Sequence, residues 1–152
     1  MIDIVIGSDE AGFVLKGVLK KMLLDRGLRV EDLGVDSPED KIPYPQIAAR
    51  VCRGIMASGY QKRGVLICGT GIGMCMTANK FRGIRAAVCH DVFSAQRSIL
   101  SNNGNVACFG ERVIGVELAK TILETWINLE FKDGPSTAKV QEIIKVETEN
   151  FK

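Results

Sequence analysis

An apolar run, Arg63-Gly-Val-Leu-Ile-Cys68, ends on a cysteine and passes directly into Gly69-Thr-Gly-Ile-Gly73, with glycine at alternate positions, before a segment of helical character that reaches Lys80. A short run without polar alternation suits a strand buried on both faces, as in the parallel sheets of α/β proteins. A glycine-rich turn from such a strand into a helix leaves backbone N–H groups unpaired and directed at one point, at the positive end of the helix dipole. It also sets the thiol of Cys68 at the carboxyl end of a strand, where open α/β sheets keep their chemistry. An anion cradle beside a potential base is a catalytic arrangement.

The rest of the chain repeats the strand-then-helix order. Strands are expected at Ile2–Gly7, Leu28–Leu33, Arg63–Cys68, Ile84–Cys89 and Asn105–Phe109. Helices are expected at Ala11–Arg26, about Gln46–Ser58, Ile72–Lys80, Val92–Leu100, Val116–Leu129 and Thr137–Glu149. Phe13, Leu15, Val18, Leu19, Met22 and Leu23 form the inner face of the first helix; Val140, Ile143, Ile144 and Val146 line one side of the last. Pro38, Pro43 and Pro45 oppose regular structure between Gly34 and Pro45. Strands each followed by a helix imply a Rossmann-like α/β/α sandwich, a five-stranded parallel sheet covered on both faces. With 152 residues and no repeat, the chain reads as one domain over 1–152.

Several function classes fall away on composition. The net charge is +2 with Lys and Arg scattered, so no basic stripe argues for nucleic acid. No apolar run approaches the ~20 residues of a membrane helix. The start of the chain enters a strand without a signal-peptide pattern. Cys52, Cys68, Cys75, Cys89 and Cys108 are odd in number and show no C-x-x-C spacing. They read as reduced thiols in the cytoplasm, with neither a disulfide frame nor a zinc site.

The strand ends supply the candidate site. Ser8, Asp9 and Glu10 follow the first strand and either cap a helix or bind a ligand. Cys68 is either a small core residue or a thiol activated by nearby amides and a helix N-terminus. His90, the one histidine, follows the fourth strand with Asp91; it is a poised acid–base or a surface ring. Arg112, in Gly110-Glu-Arg-Val113, is offered to an anion or pairs with Glu111. Ser101-Asn-Asn-Gly-Asn105 is a hydrogen-bonding loop or a turn.

Read together, these motifs resemble the type B ribose-5-phosphate isomerases and their galactose-6-phosphate isomerase relatives. The resemblance runs from Ile2 to about Glu147. It is carried by Cys68-Gly-Thr-Gly-Ile-Gly73 with Ala78-Asn-Lys-Phe-Arg-Gly-Ile-Arg-Ala86, and by Gly7-Ser-Asp-x-Ala-Gly12, Tyr44-Pro45, Asn102–Asn105 and Gly110-x-Arg-Val-x-Gly115. It implies a homodimer or homotetramer whose sites are completed by a neighbouring subunit, and metal-free, cofactor-free interconversion of an aldose phosphate and its ketose. By that resemblance Cys68 is the base, and Thr70 with the backbone of Gly69, Gly71 and Gly73 binds the enediolate oxygens. Asp9 and Tyr44 meet sugar hydroxyls beside Ser8 and Glu10. Asn102 faces the reacting end, Arg112 takes the phosphate, and Lys139 is carried by the last helix toward a partner's site.

The chain also departs from that pattern. Many ribose-5-phosphate members have histidine where this chain has Glu10, and a carboxylate there repels a dianion. The ring-opening histidine is replaced by Ser101, with His90 about one helix earlier as a possible substitute. Two late arginines are replaced by Pro135 and Lys139; lysine keeps the charge but not bidentate geometry. The proton-transfer centre is kept while ring-opening and phosphate-clamping groups change, which favours an altered substrate. A four-carbon aldose phosphate needs no ring-opening acid, because its terminal oxygen is phosphorylated and cannot close an ordinary furanose. A sugar with a different distal group would equally explain Glu10 and Pro135. A co-catalytic subunit of a hetero-oligomer and a sugar-phosphate-binding regulator remain as alternatives, with a redox thiol behind them.

Overall fold

The structure, a computed structural model, describes residues 3–151. Five strands form one sheet: β1 (Asp3–Ser8), β2 (Val30–Asp32), β3 (Lys62–Cys68), β4 (Ala86–Val88) and β5 (Val106–Gly110). All neighbours are parallel, in the order β2-β1-β3-β5-β4. The helices are α1 (Phe13–Asp25), α2 (Tyr44–Ala57), α3 (Ile72–Ala78), α4 (Val92–Leu100), α5 (Val116–Ile127) and α6 (Thr137–Asn150). The order leaves β1 toward one edge and then returns across it to β3. That reversal opens a crevice between the carboxyl ends of β1 and β3.

Residues alternate faces along each strand, which divides the core in two. Ile4, Ile6, Val65, Ile67, Ala107 and Phe109 pack under α1, α4 and α5 with Leu19, Leu23, Ile99, Ile122 and Trp126. Val5, Leu66, Cys68 and Cys108 pack under α2 and α3 with Ile47, Val51, Ile55 and Met74. Each fully buried aliphatic side chain contributes about 1.5–3 kcal/mol. Cys68 therefore faces α2 and α3, whereas Ser8, opposite Ile67 in the register, belongs to the other face.

Two expectations are adjusted, one falls outside the described residues, and one apolar face is found open. Ile2, placed in the first strand, lies outside the described residues. The first helix does not begin at Ala11: Glu10–Gly12 is one turn of 3₁₀ helix, and α1 starts at Phe13. Pro45 does not hold off α2, since a proline is tolerated in the first helical turn, where its missing N–H has no partner to lose. The apolar side of α6 is mostly open: Val140 is buried, but Ile143 is 43% exposed and Val146 55%. Between α6 and the edge strand β4 lies a cavity of about 720 Å³, lined by Ala86, Val88, Ser98, Ile143, Ile144 and Val146 among others.

One charged residue sits in the core side of α1. Lys16 is 4% exposed; its ammonium meets Asp32 at 3.1 Å and donates to the Val35 carbonyl at 2.6 Å. Val35 N–H in turn donates to Ser8 O at 3.0 Å. The loop after β2 is thereby tied to the end of β1, next to Asp9. Burial opposes ionisation of Asp32, yet the Gly34 N–H and the Lys20 and Lys16 ammoniums outweigh it and lower its carboxyl below the usual range.

Candidate active site

The three glycines after Cys68 each admit a different neighbour. A Cβ on Gly69 would stand 3.1 Å from the Arg112 guanidinium. One on Gly71 would stand 2.9 Å from the Phe109 backbone, and Gly71 has φ +75°, a conformation costly for other residues. One on Gly73 would stand 2.4 Å from the Tyr44 ring. The spacing thus lets a cation, a strand end and an aromatic ring close around one turn.

Cys68 is 5% exposed, and its Sγ accepts the Gly71 N–H at 3.1 Å. The sulfur is thereby fixed by a backbone donor inside the turn, with the start of α3 just beyond. Thr70 is exposed, and its Oγ1 accepts the Ile72 N–H at 3.3 Å. The loop is held by β5: Glu111 N–H donates to Cys68 O and Arg112 N–H to Gly69 O, both at 3.0 Å. The Cys75 thiol, in contact with Cys108, is brought down to about 7 by that hydrogen bond.

Asp9 is 8% exposed and caps the 3₁₀ turn, accepting Ala11 N–H at 3.1 Å and Gly12 N–H at 3.2 Å. Burial lifts its carboxyl above the ordinary range; Glu10 adds to this, while the two amides and Arg112 oppose it. Capping and ligand binding are therefore compatible for Asp9. Ser8 is fully buried, and its hydroxyl lacks a hydrogen-bond partner among the described residues. Glu10 is partly exposed beside Asp9.

His90 accepts the Gly110 N–H on Nε2 at 2.8 Å. The ring replaces the acceptor that β4 stops supplying, and Nδ1 remains for another group. Burial lowers its pKa, against the pull of Asp91, so the neutral ring is favoured. Gly110 packs directly on Thr70, so His90 braces the cradle from behind.

Arg112 does not pair with Glu111. The Glu111 carboxylate turns away to accept the Leu15 N–H at 2.5 Å, and Arg112 has no ion pair among the described residues. Sequence reading missed this cap, although Gly12 before Phe13 was a signal that α1 has no cap of its own.

Two candidates lie elsewhere. Asn102 belongs to the loop between α4 and β5, at the amino ends of the strands. Asn105 O of that loop accepts Gly64 N–H at 2.8 Å. Gly64 precedes Cys68 by four residues, on the order of 13 Å of strand at about 3.3 Å per residue. Lys139 is exposed in the first turn of α6 and joins none of the hydrogen bonds that hold the Cys68 turn.

A thiol, a backbone oxyanion cradle and an unpaired arginine around the crevice of a doubly wound sheet are the equipment of an enzyme that moves a proton on an anionic substrate. Residues 4–143 match the Ribose/Galactose Isomerase family. The chain is 48% identical to D-erythrulose-4-phosphate isomerase 2 of Mycolicibacterium smegmatis over 95% of this chain and 96% of that protein. It is 47% identical to D-erythrulose-4-phosphate isomerase of Pectobacterium atrosepticum, over 94% and 93% respectively. A solved structure of ribose-5-phosphate isomerase B from Clostridium thermocellum superposes with a TM-score of 0.92 at 38% identity, covering 97% of this chain and 99% of that one. The chain belongs to the Ribose/Galactose Isomerase family. It is an aldose–ketose isomerase of sugar phosphates.

Proposed function

We propose that the chain interconverts D-erythrulose 4-phosphate and the corresponding four-carbon aldose phosphate, with Cys68 as the base. The observation that carries the chemistry is the Gly71 N–H on the Cys68 sulfur, inside the glycine turn at the carboxyl end of β3. Cys68 takes the C2 proton of the aldose, and the electron pair passes through the C1–C2 bond onto O1. The enediolate is held by the amides around Gly69, Gly71 and Gly73 with Thr70. Return of the proton to C1, with transfer of the O2 proton to O1, gives the ketose. Asp9 and Tyr44 meet the sugar hydroxyls, and the unpaired Arg112 takes the phosphate.

The substrate length follows from chemistry and likeness together. The position where the resemblance expects a ring-opening histidine is Ser101, whose hydroxyl is engaged by Arg97 Nε at 2.7 Å. A four-carbon phosphate closes no such ring and needs no acid there. Two relatives, at 48% and 47% identity, are named for D-erythrulose 4-phosphate, a four-carbon sugar phosphate. The functional unit is a homodimer or homotetramer in which Asn102 and Lys139 serve a neighbour's site; the place of the Asn102 loop at the strand ends opposite Cys68 supports this.

Turnover of four-, five- and six-carbon aldose and ketose phosphates tests the assignment. The four-carbon pair is expected to give the highest kcat/KM, and Cys68→Ala to lower it by about 10²–10⁴-fold, as removal of a general base does. Preference for ribose 5-phosphate would overturn the substrate, and activity indifferent to Cys68 would overturn the base.

A further inference from the structure

We propose that Glu111 is the positioning residue that fixes Arg112 over the Cys68 turn, by capping α1 from across the sheet. This rests on the reading of Arg112 as the phosphate arm. The need for a cap arises at Gly12. A Cβ there would stand 2.7 Å from the Ile67 carbonyl carbon and oxygen, so the residue preceding α1 cannot carry a capping side chain. Asp9 is already spent on the Ala11 and Gly12 amides of the 3₁₀ turn. Phe13 N–H finds the Glu10 carbonyl of the 3₁₀ turn, but the first turn of α1 has no side-chain cap from its own N-cap, Gly12. The Glu111 carboxylate fills that place on Leu15 N–H, the third amide of the helix, from 96 residues away. A carboxylate on the N-terminal amides of a helix is a charge-assisted bond in the favourable sense of the dipole.

The same residue is bound on its other side to the catalytic turn. Its own N–H holds Cys68 O, and the next N–H holds Gly69 O. Glu111 thus joins three segments: the start of α1 with the Asp9 turn behind it, the Cys68–Gly71 turn, and the β5–α5 loop that carries Arg112. Turning its carboxylate to α1 also keeps it off the guanidinium, which then lies against Gly69 without a partner carboxylate.

Reach and charge can be separated by substitution. Glu111→Asp keeps the charge but is one methylene short of Leu15; Glu111→Gln drops the charge but keeps an acceptor of the same reach. Binding of inorganic phosphate, read by calorimetry, and KM and kcat for the four-carbon ketose phosphate are the measurements, with thermal melts to verify folding. Glu111→Asp is expected to weaken phosphate and raise KM on the order of tenfold with kcat changed less, as for a small misplacement of a binding group. Glu111→Gln is expected to stay within about twofold of the parent, or to bind more tightly. Unchanged phosphate affinity in Glu111→Asp, or equal weakening in Glu111→Gln, would overturn the proposal. Arg112→Ala separates it from the reading beneath it: phosphate affinity untouched by that change would remove the phosphate arm itself, and this proposal with it.

Discussion

Gly73 shows how much one missing Cβ decides at the site. The Tyr44 ring lies where that atom would stand, and Tyr44 is 39% exposed, so the ring has room to swing away. Gly73→Ala is expected to leave stability unchanged or raised by up to about 1 kcal/mol, since alanine is favoured over glycine at helical backbone angles. KM is expected to rise because Tyr44 is displaced. A melt and a kinetic titration of the same sample check this; an unaltered KM would exclude Tyr44 from the substrate. Gly71 differs, because its neighbour is backbone and its φ is positive. At this scale the site was largely legible: alternate glycines beside a cysteine at a strand end force unpaired amides and close approaches whatever the rest of the chain does. Arg112 was legible as a cation but not as an unpaired one. Its alternative partner, Glu111, is drawn off by an amide far away in the chain, and no local pattern encodes that.

At the scale of elements, the parallel strands were readable because their apolar runs need cover on both faces, and the helices from their apolar spacing. The errors fell where packing overrides local preference. Gly12 is pressed against Ile67, so the turn before α1 tightens to 3₁₀, and Pro45 is absorbed by the first turn of α2. The short strand β4 illustrates a side chain extending a ladder. His90 Nε2 accepts Gly110 N–H only when unprotonated. Its pKa in the fold is below its value of about 6.5 in the unfolded chain, so the contribution is complete above that value. As pH falls through 6.5 toward the folded pKa, the unfolded state takes up the proton first and the contribution is lost. Thermal melts of the parent and His90→Phe between pH 7.5 and 5.5 are expected to differ most at the upper end and to converge on acidification. A constant gap would show that the ring acts by packing alone.

For the whole molecule, the sheet order places Cys68, Asp9 and Arg112 around one crevice and sends Asn102 to the opposite end of the strands. The open side of α6 and the cavity beside β4 accompany that separation. A chain that completes its neighbour's site must lose assembly and turnover together. Ile143→Asp with Val146→Asp is expected to give monomers by light scattering and to lower kcat/KM by on the order of 10²-fold, the scale of lost positioning. Full activity in a monomer would refute a shared site. The apolar side of α6 could be read from the chain, but not what covers it, since an amphipathic helix looks the same against its own sheet or another copy's. The account rests above all on proton transfer by Cys68. The most direct measurement follows solvent deuterium entering C1 of D-erythrulose 4-phosphate by nuclear magnetic resonance, with the parent enzyme and Cys68→Ala side by side. The account predicts rapid exchange with the parent and a rate at least about 10²-fold lower in the variant. Exchange at the parent rate in Cys68→Ala would contradict it.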